Sequence, residues 1–291
     1  MRIKFSKYHG SGNDFVIIDE SKKALIRDEE KPAFVERISD RHFGIGSDGV
    51  IFVQKSGKAD LKFHFFNPDG SIAEMCGNGI RCFAKYVYDR GLLKKEKMLI
   101  ETASGVLEPK LAVHDGKVDL VTIRMGKPRL NRKDIPAAGD PGSRMVQERI
   151  KIKGTEYTIT AVGMGNPHAV LLVKDVESED VIEHGRKIRY YTELFPKGAN
   201  VHFVQKTGDN EFKVRTYERG VENETLACGT GICASAVAAV LTGEADLLHS
   251  ITFHARGGDL RVELESEKGS ITNVYLTGPA VEVFNGEIDY L

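Results

Sequence analysis

Two motifs of the form Cys-Gly-x-Gly, Cys76–Gly79 and Cys228–Gly231, lie 152 residues apart in a chain of 291 residues. Each is followed by a run with helical spacing of apolar residues, so each cysteine is predicted to stand at a helix N-terminus. A thiol in that position feels the positive end of the helix dipole, which lowers its pKa from about 8.5 into the range ~3.5–7.5. One of the two thiols is therefore expected to supply a thiolate base near neutral pH.

The glycines after each cysteine allow close backbone approach, and their amides could bind a carboxylate. If the two helix ends face one another, they would hold one carboxylate between two thiols. One thiolate could then remove the α-proton from one face while the other thiol returns a proton to the opposite face, inverting the carbon. A single base could only return the proton to the side it came from. The amide donors would stabilise the developing charge, so no pyridoxal or other cofactor is predicted.

An internal duplication would make the two cysteines symmetry mates, and other fragments recur at nearly the same offset. Gly10–Asn13 with the apolar run after it is repeated at Gly163–Asn166, 153 residues on. Gly46 and Asp48 are repeated as Gly198 and Asn200, 152 residues on. Because these matches are collinear, the chain is predicted to fold into two similar halves.

The predicted elements are mostly short strands with one buried helix in each half, of which the first is more mixed in composition. The two helices are Ile80 to Arg90 and Ile232 to Leu241, and the second is apolar on nearly every face. Weaker helices are predicted on the outside at Pro32 to Arg41 and Glu179 to Tyr190. Asp115-Gly116 between apolar runs indicates a hairpin.

The predicted fold class is α/β of the α+β type, with two pseudo-symmetric domains from an internal duplication. Each domain is expected to be a curled, mostly antiparallel sheet around a central buried helix. The first is predicted to cover residues 1–124 together with 277–291 and to carry Cys76. The second is predicted to cover residues 125–276 and to carry Cys228.

Composition favours a soluble cytoplasmic enzyme. The 41 basic and 42 acidic residues nearly cancel, which argues against nucleic acid and anionic membranes as partners. No stretch reaches the ~20 apolar residues of a membrane span, and the N-terminus lacks an apolar signal region. Four cysteines in so long a chain do not form a disulfide scaffold, so a reduced compartment is expected.

The cysteines also have simpler interpretations. Cys82 and Cys233 lie inside the predicted helices, away from the first cysteines, and are interpreted as core packing. A four-cysteine metal site is the sharper alternative, but such ligands are usually spaced C-x2–4-C on knuckles. Here Cys76 and Cys82 are separated by five residues and Cys228 and Cys233 by four, and each pair lies along a predicted helix rather than on a knuckle, so no metal is predicted.

Seven motifs together resemble the diaminopimelate epimerase family over essentially the whole chain. They are Lys7–Phe15, Gly44–Gly49, Asn67–Ser71, Met75–Cys82, Gly163–His168, Tyr217–Gly220 and Ala227–Gly231. The resemblance implies interconversion of LL- and meso-diaminopimelate, for lysine and peptidoglycan synthesis, without a cofactor. It also implies a two-domain protein that closes over a small-molecule substrate and forms a homodimer.

The resemblance further assigns roles to residues at the matching positions. Cys76 and Cys228 would be the acid–base pair, and the residues matching His168 and Glu218 also matter for turnover. The reacting carboxylate would be held by Gly77, Asn78, Gly229 and Thr230. The rest of the substrate would be bound by Asn13, Asn67, Asn166, Asn200, Glu218 and Arg219.

One departure from the family pattern is Gly49, which stands where some members have glutamine, so a side-chain contact is lost there. Two other functions remain open. A proline or hydroxyproline racemase on the same architecture would need a smaller, more apolar pocket, which Glu218-Arg219 argues against. A non-catalytic amino-acid-binding homologue would be free to lose one cysteine, yet both are present.

Overall fold

The computed structural model describes residues 1–73 and 76–290. Met75 of the first cysteine motif and Leu291 at the end of the predicted first domain lie outside the described residues. The chain divides into two compact units. Unit 1 is Met1–Ile123 with the C-terminal segment from Gly278, and unit 2 is Arg124–Thr277.

Unit 1 is built on a seven-stranded sheet with two helices. The sheet strands are β1 (Arg2–Gly10), β2 (Asn13–Asp19), β3 (Val50–Gln54), β4 (Leu61–Phe66), β5 (Ile100–Thr102), β6 (Gly105–Leu107) and β18 (Val281–Asp289). They lie in the order β18-β1-β2-β3-β4-β5-β6. The helices are α1 (Lys31–Ser39) and α2 (Gly77–Asp89). A hairpin follows, of β7 (Lys110–His114) and β8 (Lys117–Gly126).

Unit 2 has a longer sheet and again two helices. Its strands are β9 (Glu148–Ile152), β10 (Thr155–Gly163), β11 (Pro167–Leu172), β12 (Asn200–Gly208), β13 (Glu211–Glu218), β14 (Asn223–Thr225), β15 (Ile251–Ala255), β16 (Gly258–Glu267) and β17 (Ser270–Pro279). They lie in the order β17-β16-β15-β13-β12-β11-β10-β9, and β14 pairs with β13. The helices are α3 (Val181–Arg189) and α4 (Gly229–Leu241).

The two units repeat one sequence of strand pairings. From β1 to β6 the neighbours pair antiparallel, parallel, antiparallel, parallel and antiparallel. The series β10, β11, β12, β13, β15 and β16 pairs in the same alternation. In both series one helix lies between the second and third strands and another between the fourth and fifth. This repeat supports the predicted duplication and confirms the mostly antiparallel sheets.

The two apolar helices are enclosed as predicted. Helix α4 is buried without interruption from Gly231 to Ala239, and it packs against β10, β11, β12 and β16. Helix α2 packs against the corresponding strands β1, β2 and β3. Both helices begin directly after their cysteine, three residues earlier than the apolar runs indicated. Cys82 and Cys233 are fully buried, which confirms their packing role, and burial raises the pKa of the Cys82 thiol.

The two predicted outer helices and the predicted hairpin are present, and the helix ends differ from the prediction by one or two residues. Helix α1 ends at Ser39 and α3 at Arg189, one or two residues short of the predicted ends. Helix α1 is not merely decorative, because Phe34, Val35 and Ile38 are buried in the core of unit 1. At the predicted hairpin, Asp115 and Gly116 both have positive φ, of 49° and 75°. The longest helices of the described chain have 13 residues, and none of its helices could span a bilayer.

A buried ion pair lies beneath the sheet of unit 1. The Lys31 Nζ atom lies 2.8 Å from Glu20 Oε2, and both side chains are fully buried. Glu20 also accepts hydrogen bonds from the backbone of Leu25 and Ile26 and from the Gln54 amide. Removing one partner of such a pair leaves a buried charge uncompensated, which typically costs about 3–5 kcal/mol.

We expect Lys31→Met to lower the free energy of unfolding of the protein by about 3–5 kcal/mol, because the fully buried Glu20 carboxylate loses the cation paired with it. The double variant Glu20→Gln/Lys31→Met should recover part of this loss. Urea unfolding followed by circular dichroism measures the change. The control is Lys187→Met on α3, whose ion pair with Glu183 is partly exposed, in contrast to the fully buried pair of Lys31 and Glu20. An equal loss in the control would contradict the expectation.

Candidate active site

Each cysteine occupies the position just before its helix in the same backbone conformation. Cys76 has φ −139° and ψ 116°, and Cys228 has φ −117° and ψ 106°, so both are extended N-cap residues. Each carbonyl accepts the first helical hydrogen bond, at 2.9 Å from Ile80 and Ile232 respectively. The first amides of a helix have no partner within it, so each cysteine lies beside donors that can bind an anion.

The surroundings of the two thiols differ. Cys76 Sγ donates to Asn13 Oδ1 at 3.5 Å, and the Asn78 amide donates to the same oxygen at 3.4 Å. Asn78 is buried, and its Oδ1 has no hydrogen-bond partner among residues 1–73 and 76–290. Cys228 Sγ lies 3.6 Å from Oγ1 of Thr230, which is two residues further along the chain. Cys76, Asn13 and Asn78 thus form one group in unit 1.

A charged network fixes the orientation of Asn13. Its Nδ2 donates to Asp48 Oδ2 at 2.7 Å. A carboxylate only accepts hydrogen bonds, so the Asn13 oxygen must turn the other way, toward Cys76. Asp48 in turn contacts Arg41 at 2.6 Å, and Asp14 contacts Lys7 at 2.5 Å and Arg41 at 2.8 Å.

The Asp14 carboxyl group has a displaced pKa. Burial disfavours its charge, but hydrogen bonds from Arg41 and Lys7 outweigh burial and lower its pKa from 3.8 to about 2. Asp14 and Asp48 lie within two of the sequence motifs, but the sequence alone predicted no role for either carboxylate in the site. The available signal was weak, because Lys7 and Asp14 share one motif whereas Arg41 lies just before the motif that contains Asp48.

The structure also explains Gly49, where the chain departs from the family pattern. A Cβ atom at this position would lie 2.4 Å from Phe65 Cε2 and 2.7 Å from the Phe66 carbonyl oxygen. No larger side chain fits without moving the backbone of β4. The Gly49 carbonyl instead accepts from the Val16 amide at 3.1 Å, which joins the second motif to β2.

Asn67 lies in the turn after β4. Its backbone amide donates to the Ser71 carbonyl at 2.8 Å, and its side-chain Nδ2 donates to Ser71 Oγ at 3.0 Å. Both contacts close the turn in which Gly70 has a φ of 76°. The side chain is half-buried and its described contacts lie within this turn.

In unit 2, Asn200 joins two of the predicted motifs. This buried amide donates to the Pro167 carbonyl at 3.3 Å and accepts from the Arg219 backbone amide at 2.9 Å. It therefore fixes the Asn166–His168 segment next to Glu218 and Arg219. Glu218 Oε2 accepts from Thr225 Oγ1 at 2.8 Å, and the Arg219 guanidinium donates to the Lys197 carbonyl at 3.1 Å.

His168 is fully buried and hydrogen-bonded through both ring nitrogens. Its Nε2 lies 2.7 Å from Asn166 Oδ1, and its Nδ1 lies 2.8 Å from His202 Nε2. His202 Nδ1 lies 2.9 Å from Thr216 Oγ1. Burial lowers the pKa of His168 well below its usual range and that of His202 to about 3, so both rings are neutral.

Sequence reasoning did not find His202 or Thr216. The available signal was one histidine inside the otherwise apolar run Val201–Val204, facing a threonine on the next strand. The predicted residues thus form two groups. Asn13, Gly77 and Asn78 lie around Cys76 in unit 1. In unit 2, Asn200 connects the Asn166–His168 segment to Glu218 and Arg219, while Gly229 and Thr230 begin α4.

We expect the depressed pKa of Asp14 to appear in the acid dependence of stability. Because its pKa is lower in the folded protein than in the unfolded chain, its contribution is complete above about pH 4 and is lost as the pH falls toward 2. The contribution is at most roughly 2 kcal/mol. Asp14→Asn should therefore lose less stability than the wild type between pH 4 and 2 in urea titrations. The control is Asp119→Asn at an exposed strand position, and its pH dependence should match the wild type.

Comparison with known proteins agrees with these motifs. A family model described as diaminopimelate epimerase matches residues 5–131 and 160–283. A diaminopimelate epimerase of Pelotomaculum thermopropionicum is 45% identical over 286 residues, which cover 98% of this chain and 99% of the relative. One of Methanocella arvoryzae is 46% identical over 288 residues, which cover 99% of this chain and 97% of that protein.

Solved structures with the same fold are more distant in sequence. A PhzF-family phenazine biosynthesis protein of Bacillus anthracis superposes with a TM-score of 0.73 at 17% identity, covering 100% of both chains. A hydroxyproline epimerase of Agrobacterium vitis has a TM-score of 0.66 at 15% identity, covering 99% of this chain and 92% of the other. These similarities show the fold alone. The family match and the relatives over nearly the full length show that the chain belongs to the diaminopimelate epimerase family.

Proposed function

We propose that this protein interconverts LL- and meso-diaminopimelate by cofactor-independent proton transfer at one α-carbon, in lysine and peptidoglycan synthesis. The observation that carries the proposal is the repeated placement of a cysteine. Each unit has one at the N-cap of its buried helix, in the same extended conformation and beside helix amides. Membership of the family supplies the substrate.

The proposed reaction uses Cys76 and Cys228 on opposite faces of the α-carbon. The thiolate of one takes the proton, and the electron pair of the broken Cα–H bond is delocalised into the adjacent carboxylate. The thiol of the other gives its proton to the opposite face, so each turnover exchanges the protonation states of the two sulfurs. The amides of Gly77, Asn78, Gly229 and Thr230 would bind the carboxylate and stabilise its added charge.

The distal end of the substrate carries a second ammonium and a second carboxylate. We propose that Glu218 receives the ammonium and that Arg219 pairs with the carboxylate, since a guanidinium suits bidentate contact with carboxylates. The hydrogen bond from the Arg219 backbone to Asn200 supports this, because it holds the start of the Arg219 side chain in place. Asn13, Asn67 and Asn166 would complete recognition of the substrate.

His168 is proposed to support turnover through its neighbour. Its two ring nitrogens are both occupied, and its ring is fully buried and neutral. Direct proton exchange with the substrate would first require one of these hydrogen bonds to break. We therefore assign His168 to holding Asn166, and we propose that Glu218 supports turnover through its contact with the substrate ammonium.

Proton NMR of LL-diaminopimelate with the reduced enzyme in deuterium oxide tests the proposal. We expect deuterium at one α-carbon and formation of the meso isomer. Cys76→Ala and Cys228→Ala should each reduce epimerisation by at least about 100-fold, because a proton-transfer group is lost. Cys233→Ala, which removes a fully buried sulfur from the same helix as Cys228, is the matched control and should remain active.

L-Proline run in parallel distinguishes the alternatives. Exchange with proline alone would assign the chain to the racemases of this fold. Absence of exchange with either substrate would indicate a protein that only binds amino acids. Full activity of Cys228→Ala would contradict the two-cysteine mechanism.

We also propose that the protein works in the cytoplasm as a homodimer. Strand β18 lies at the end of the unit 1 sheet, and edge strands offer unpaired backbone groups. Apolar residues are exposed along it, with Val281 43%, Val283 55% and Phe284 45% accessible. A second copy of the chain is the partner that would cover this strand in a two-fold assembly.

We expect Phe284→Asp to shift the protein from dimer to monomer at micromolar concentration, because it places a charge in the proposed apolar interface. Sedimentation velocity measures the change. The control is Ile182→Asp, at a residue of α3 with similar exposure of 44%. A wild-type protein that sediments as a monomer would overturn this part of the proposal.

A further inference from the structure

Four polar side chains in unit 2 form an unbranched series of hydrogen bonds. The series runs from Thr216 on β13 through His202 on β12 to His168 on β11, and it ends at Asn166. The three contacts measure 2.9, 2.8 and 2.7 Å. Thr216 is buried and both histidines are fully buried, whereas Asn166 is half-buried. The series therefore leads from the interior of the sheet to a predicted substrate-binding residue.

The direction of the series follows from the atom at its outer end. Asn166 presents Oδ1 to His168, and an amide oxygen only accepts, so His168 carries its proton on Nε2. A neutral imidazole has one donor and one acceptor, so His168 Nδ1 accepts from His202 Nε2. By the same reasoning, His202 Nδ1 accepts from the Thr216 hydroxyl. Every donor thus points outward, from Thr216 toward Asn166.

The direction matters at Asn166 because it decides which half of the amide remains available. With Oδ1 engaged by His168, the Nδ2 group is turned away from the series. Within the described part of unit 2, no acceptor bonds to this Nδ2. An amide NH2 in that position is a donor suited to an anionic group, and a carboxylate is the anionic group of an amino acid.

We propose that His202, with Thr216 behind it, is a positioning residue that fixes the tautomer of His168 and so turns the Asn166 amide to donate to a substrate carboxylate. The choice of substrate rests on the proposed function, whereas the orientation of the series does not. The sequence analysis assigned Asn166 to substrate binding without naming a group of the substrate. The proposal now assigns it a hydrogen bond to a substrate carboxylate.

The packing around His202 supports this role, because the ring lies directly against Gly231. A Cβ atom at Gly231 would lie 2.0 Å from His202 Cε1, so the ring occupies the space that a side chain would need there. Gly231 is the last residue of the second Cys-Gly-x-Gly motif. This glycine therefore gives His202 its place against the start of α4, three residues from Cys228.

The first experiment determines the tautomers directly in the full-length protein labelled with 15N-histidine. Long-range 1H–15N correlation spectra distinguish Nε2–H from Nδ1–H rings, and signals are assigned by their loss in His168→Gln, His202→Gln and His254→Gln. We expect both His168 and His202 as neutral Nε2–H rings between pH 6 and 8. Two Nδ1–H rings would mean the reverse direction, with the Asn166 oxygen turned outward, and would overturn the proposal.

The second experiment separates positioning from packing with paired variants. His202→Leu removes the donor to His168, whereas His202→Gln keeps an N–H donor of similar reach. In the leucine variant we expect His168 to lose its single tautomer and KM for diaminopimelate to rise about tenfold, with kcat changed by less than about threefold. The glutamine variant should recover most of the wild-type KM. Identical behaviour of the two variants, with the His168 tautomer unchanged, would overturn the proposal.

Thr216 provides a test that does not depend on the folding of the His202 variants. Thr216→Val removes the hydroxyl while keeping the shape of the side chain, and Thr216→Ser keeps the hydroxyl. We expect KM to rise about threefold or more in the valine variant and to stay near the wild-type value in the serine variant. His254→Gln, at a histidine bonded to Asp259 and Glu211 on the surface, should change neither quantity. Equal KM values in the valine and serine variants would count against a role of the hydrogen-bond series in substrate binding.

The outcomes also distinguish this inference from the proposed function. If the wild-type protein does not epimerise diaminopimelate, the proposed function fails while the tautomer measurement still decides the direction of the series. If the protein epimerises diaminopimelate but the rings are Nδ1–H, the proposed function stands and the positioning role of His202 fails.

Discussion

A helix that is buried along most of its length has to be enclosed by other elements, and this constraint organises both units. Helix α4 presents only apolar and small residues from Gly231 to Ala239, and removing such a surface from water is the main favourable term in folding. The sheet of unit 2 covers it, and the sheet of unit 1 covers α2 in the same way. The N-terminus of each helix is fixed by this packing, so the cysteine before it has a defined position.

Polar groups near the start of each helix are oriented by partners whose role as hydrogen-bond donor or acceptor is fixed. Asp48 can only accept, so it turns the Asn13 nitrogen toward itself and the Asn13 oxygen toward Cys76. In unit 2 a neutral histidine performs the corresponding task for Asn166. The two units thus orient an asparagine at the same repeat position by different means, a charged network in one and a buried neutral series in the other.

This difference follows from the surroundings of each asparagine. In the network around Asp14 and Asp48 every charge has a partner: the buried Lys7 pairs with Asp14, and the more exposed Arg41 pairs with both carboxylates. The histidines of unit 2 are fully buried, where a charge without a partner is costly, and they remain neutral. The repeated topology therefore supports two sites with unequal electrostatics.

The sequence by itself determined the helices, the antiparallel strands, the duplication and the two cysteines at helix N-termini. These features depend on local periodicity, on glycine at fixed positions and on collinear repetition, all of which are visible in one chain. Tertiary structure alone decided that α1 joins the core, that Gly49 has no room for a side chain, and that His202 contacts His168. Each of these depends on which strands become neighbours. His202 and Thr216 are 14 residues apart in sequence and face one another only because β12 pairs with β13 in one register. Periodicity can assign residues to a face of a strand, but the partner of a buried polar side chain is chosen by the pairing of strands and by the need to satisfy every buried donor and acceptor.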